Sequence, residues 1–76
     1  MERLSNKKVV ELESLVKPYG YINVEAYQVF DCLNNPTVIV KAMHNGIQVT
    51  IGYRETLAKS INEALTYCAE MYAELS

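Results

Sequence analysis

Seventy-six residues, half of them apolar and 21% charged, with a formal net charge of −2, describe one small globular domain over 1–76 rather than a disordered chain. No apolar run approaches the ~20 residues of a membrane span. The opening Met1-Glu2-Arg3-Leu4 is not followed by the apolar core of a secretory leader, which implies a cytoplasmic protein. Two cysteines, Cys32 and Cys68, and one histidine, His44, are too few for a disulfide scaffold or a clustered zinc site, so no metal and no cofactor is expected.

The first helix is predicted over about 5–17. Ser5 or Asn6 supplies the N-cap, and Leu4, Val9, Leu12, Leu15 and Val16 share one face at ~100° per residue. Pro18 and Gly20 end it. Residues 21–33 alternate as a strand with Ile22, Val24, Ala26, Phe30 and Cys32 on one side. A helix that Asn23 would cap competes for the same stretch.

The next two strands, Thr37 to His44 and Ile47 to Tyr53, flank Asn45-Gly46, the preferred pair for a tight type I′ turn. That turn sets His44 opposite Ile47, Ala42 by Val49, Val40 by Ile51 and Val38 by Tyr53, all on one apolar face. A three-residue loop at Asn34-Asn35-Pro36 then sets Cys32 by Val38 and Phe30 by Val40. The last helix is predicted over about 56–75, capped by Thr56. Its wide apolar face comprises Leu57, Ala58, Ile61, Ala64, Leu65, Cys68, Met71, Tyr72 and Leu75.

The expected fold is therefore α+β in the order α-β-β-β-α, a three-stranded antiparallel meander with both helices packed on one face. The other face carries Tyr27 by Met43, Val29 by Lys41, Asp31 by Ile39 and Leu33 by Thr37 in this register. Tyr27, Val29, Leu33, Ile39 and Met43 are thus the candidate partner-binding residues, because contiguous exposed apolar surface marks interaction sites. Tyr27 suits an interface, whereas Tyr53 and Tyr72 are read as caps on the core edge.

Catalytic arrangements are not evident. His44 reads as a turn-flanking residue without a neighbouring nucleophile, and both cysteines fall on apolar faces as small hydrophobes. Glu63, Glu70 and Glu74 read as a solvated helix stripe. The three glycines lack phosphate-loop spacing. The chain is not expected to be an enzyme or to take a small-molecule substrate.

The element order resembles the double-stranded-RNA-binding domain, with the likeness lying in topology. That resemblance implies RNA contact through Lys7 and Lys8, through the loop at Asn34-Asn35-Pro36, and through the segment Arg54-Glu55-Thr56-Leu57-Ala58-Lys59. The family's lysine pair ahead of Ala-Lys falls here on Glu55 and Thr56, and only Ala58 and Lys59 match. Two functions are therefore expected. The first is a small non-catalytic protein–protein interaction module, homodimeric and regulatory or inhibitory. The alternative is a weak nucleic-acid binder using Lys7, Lys8, Arg54 and Lys59. No membrane partner is expected.

Overall fold

A computed structural model describes residues 2–75. Its elements are β1 (Glu2–Leu4), α1 (Lys7–Val16), a single 3-10 turn (Lys17–Tyr19), β2 (Tyr21–Phe30), β3 (Pro36–His44), β4 (Ile47–Arg54) and α2 (Leu57–Leu75). The protein is α+β, with two helices and a four-stranded antiparallel sheet in the order β1-β2-β3-β4. The expected meander is present, extended at one edge by β1. Three residues give too little periodicity to announce a strand, so β1 escaped the sequence pattern.

α1 starts where Asn6 caps it, its side-chain oxygen accepting from the Lys8 N–H at 2.8 Å. Ten residues are too few to hold a helix alone in water. Burial of Val9, Leu12 and Val16 holds this one. Each such side chain contributes roughly 1.5–3 kcal/mol when fully buried. Leu15, expected on the same stripe, is instead exposed. Thr56 caps α2 as expected, accepting from the Lys59 N–H at 3.2 Å. Ile61, Ala64 and Cys68 of α2 join Val9, Leu12 and Val16 of α1 in one core cluster with Tyr21, Val24, Ala26, Val38, Val40, Ala42 and Ile51 of the sheet.

The tight turn at Asn45-Gly46 forms as predicted, with φ of 54° and 79°, and His44 pairs with Ile47 and Ala42 with Val49. Beyond that the register departs in three places. Lys41 pairs with Thr50 but Val40 pairs with Gly52, so Ile51 is an extra residue on β4. Ile51 keeps its expected inward place, and the bulge moves Tyr53 opposite Ile39, away from Val38. Ile22 pairs with Met43 but Glu25 pairs with Lys41, a second bulge at which Asn23 takes φ 53°. Tyr21 is therefore buried and Ile22 exposed, the reverse of strict alternation.

The third departure is the β2–β3 loop, which spans five residues rather than three. Asp31 accepts from the backbone N–H groups of Leu33 and Asn35, each at 2.9 Å, and its own N–H donates to the Asn35 carbonyl at 3.0 Å. This local bonding ends the ladder at Phe30 and Pro36. Val29 consequently pairs with Thr37, not Lys41. Phe30 and Cys32 are exposed, not buried beside Val40 and Val38.

Candidate functional site

The core fixes which sheet residues point away from the helices. Val38, Val40 and Ala42 are buried beneath the helices. Their neighbours Ile39, Lys41 and Met43 alternate to the opposite face, where each is half-buried, and Thr37 in the same series is buried. The pairing then lays out that face in rows. Arg3, Tyr27, Ile39 and Tyr53 form one row across all four strands. Val29 and Thr37 lie on one side of it, and Glu25, Lys41 and Thr50 on the other. Ile22, Met43 and Gln48 form the row beyond.

The expected patch is thus rearranged. Tyr27 and Ile39 are direct cross-strand partners, with Val29 beside them. Met43 lies on the same face but is separated from them by the Glu25–Lys41 row, and it pairs with Ile22. Leu33 lies off the sheet in the Asp31 loop and is 78% exposed. Tyr53, read from the sequence as a core cap, extends the apolar row instead and is 47% exposed. A signal for Tyr53 would have required foreseeing the Ile51 bulge.

Polar groups on this face are tied to one another. The Tyr27 hydroxyl donates to the Glu25 carboxylate. That bond, then desolvation, holds the Tyr27 phenol above its ordinary value, because losing the proton would set two negative groups together. Arg3 reaches Glu25 at 3.7 Å, and the Lys41 ammonium lies 6.0 Å from the Tyr27 ring centre. A four-residue network, Arg3–Glu25–Tyr27–Lys41, therefore crosses three strands. Sequence reading missed Arg3 with β1, and did not single out Glu25 or Lys41.

The four candidate nucleic-acid cations are divided. Arg54 and Lys59 line one shallow groove with Glu63, Tyr67 and Glu70, while Lys7 and Lys8 stand on α1. Arg54 pairs with Glu63, and Lys59 with Glu55. The Lys59 ammonium holds the Glu55 carboxyl below its ordinary value. Glu63 also accepts from the Tyr53 N–H at 2.9 Å, so it is a strand-to-helix tie rather than part of a free stripe.

His44 stacks on Tyr21, with ring centres 4.3 Å apart and planes 15° from parallel. Cys68 is fully buried, and desolvation pushes its thiol up to about 11. Among the described residues no group of three or more His, Cys, Asp or Glu is placed to hold a metal ion, and no helix is long and apolar enough to cross a membrane. Comparison with protein-family models, with curated proteins and with solved structures finds no significant match to this chain.

Proposed function

We propose that the protein is a non-catalytic interaction module of regulatory or inhibitory type that acts as a homodimer through the helix-free face of its sheet. The observation that carries this reading is the row Tyr27–Ile39–Tyr53, flanked by Val29, on the side opposite the helix-packed core. Apolar and aromatic side chains contiguous on a face without helix cover are the usual makings of an interface centre. The burial of Cys68, which keeps its thiol protonated, favours a packing role over catalysis at that residue.

The nucleic-acid reading ranks second. Duplex contact needs cations free to neutralise phosphates and displace the counterions condensed on them, whereas Arg54 and Lys59 already face carboxylates. Tyr27→Glu and Ile39→Glu test the leading proposal by light scattering and thermal melting. The expected outcome is a fall in mass to the monomer with the circular dichroism of the fold retained. Unchanged mass and unchanged stability in both variants refute it. Binding of the native protein to duplex RNA at low salt would raise the second reading in its place.

A further inference from the structure

We infer that a second copy of this chain seats on the helix-free face about a two-fold axis running along the seam between β2 and β3. This rests on the reading of that face as an interface and specifies its geometry. A two-fold contact is self-complementary, so whatever stands on one side of the axis meets what stands on the other. Across the β2–β3 seam, Glu25 stands opposite Lys41 and Tyr27 opposite Ile39. An axis along that seam sets Glu25 against the partner's Lys41 and Tyr27 against the partner's Ile39, twice over. It also exchanges the outer strands, setting Arg3 against the partner's Tyr53, an aromatic ring that suits a guanidinium.

Axes across the strands do worse. Over the Tyr27–Ile39 row, such an axis sets Glu25 on the partner's Val29 and Lys41 on the partner's Thr37. Both charges then lose water without gaining a counter-charge. Over the Glu25–Lys41 row, it sets like charge on like charge, which is repulsive. Charge complementarity therefore selects the seam axis. The available area is modest. Three strands about eight residues long give a face about 14 Å wide and about 27 Å long, and the three residues of β1 extend it at one edge. That is roughly 440 Å² in projection, the scale of a small, readily dissociating interface rather than the roughly 800 Å² per partner of a standard one.

The test compares native protein, Glu25→Lys, Lys41→Glu, an equimolar mixture of those two, and the double reversal Glu25→Lys/Lys41→Glu. Sedimentation gives the dimer constants, native mass spectrometry gives the pairings, and circular dichroism checks the fold. Each single variant is expected to weaken its own dimer about tenfold or more, since two like-charged contacts arise per dimer. The mixture is expected to form heterodimers at near-native strength, because every facing pair is then opposite in sign. The double reversal keeps the charge pair within each chain, so it folds even where a single variant does not. It is expected to dimerise with itself and to sort away from native protein.

A mixture no stronger than its components, or free exchange between native and doubly reversed chains, overturns the seam axis. A native dimer that Ile39→Glu disrupts but charge reversal leaves untouched overturns the seam axis alone. A native protein that is monomeric throughout, and indifferent to Ile39→Glu, overturns the interface itself.

Discussion

Gly52 of β4 lies so close beneath the main-chain carbonyl of Ser60 in α2 that a Cβ at this position would overlap that oxygen and meet the Val40 Cβ at 3.4 Å. The Ile51 bulge brings Gly52 opposite Val40 on the helix side, so the strand and the helix backbone touch there. Gly52→Ala is expected to destabilise the protein by about 2–4 kcal/mol, because backbone has to move to admit the methyl group. Gly46→Ala is the control. It has open space but a φ of 79°, and its cost is expected near 1 kcal/mol. Urea midpoints at equal slope measure both, and equal costs would refute the close approach.

Ser60 secures the same junction from the other side. Its buried hydroxyl donates to the Val38 carbonyl at 2.8 Å and accepts from the Arg54 N–H at 3.1 Å. Ser60→Ala strands both backbone groups and is expected to cost about 1–3 kcal/mol. The α2 start should loosen with it, read as faster amide exchange at Arg54. Unchanged exchange there would contradict the role.

The two thiols report opposite environments. Cys32 stands exposed in the Asp31 loop, while Cys68 is buried with its thiol raised to about 11. A neutral disulfide reagent is expected to titrate one thiol promptly and the second only on unfolding. Cys32→Ser should remove the prompt reaction entirely. Two equivalent thiols in the native protein would refute the packing of α2.

Asp31 links the loop to pH. The Asn35 amide first, and the Leu33 amide with it, hold its carboxyl below the ordinary value. A group depressed in the folded state stabilises above its unfolded pKa, and that support is lost as pH falls through the folded value. Protection of the Leu33 and Asn35 amides is therefore expected at neutral pH, to persist down to the ordinary carboxylate range near about pH 4, and to be lost only as pH falls through the lower folded value. Asp31→Ala should lack the protection at every pH.

Much of this architecture was legible because turn chemistry and hydrophobic period agreed. Asn45-Gly46 fixed one hairpin end, and Asn6 and Thr56 marked two helix starts. Two of the errors share one cause, a break in the period-two rule. One added residue at Asn23 inverted Tyr21 and Ile22, and another at Ile51 carried Tyr53 to the opposite face. Alternation counts residues and is blind to such an insertion. The adjacency of apolar residues on one sheet face was legible, and Tyr27 and Ile39 do lie side by side there. Tyr53 and Arg3 join their row unforeseen, and Leu33 lies off the sheet in the loop.

Those same irregularities govern how chains refrain from joining. β1, one border of the sheet, is three residues long and begins Glu2-Arg3. Past it, β2 is kinked at Asn23. On the opposite border β4 is bulged at Ile51, and its Tyr53 and Arg54 amides are already taken by Glu63 and Ser60. Neither border offers a straight row of idle peptide groups, so the native molecule resists the strand-by-strand growth that leads to fibrils.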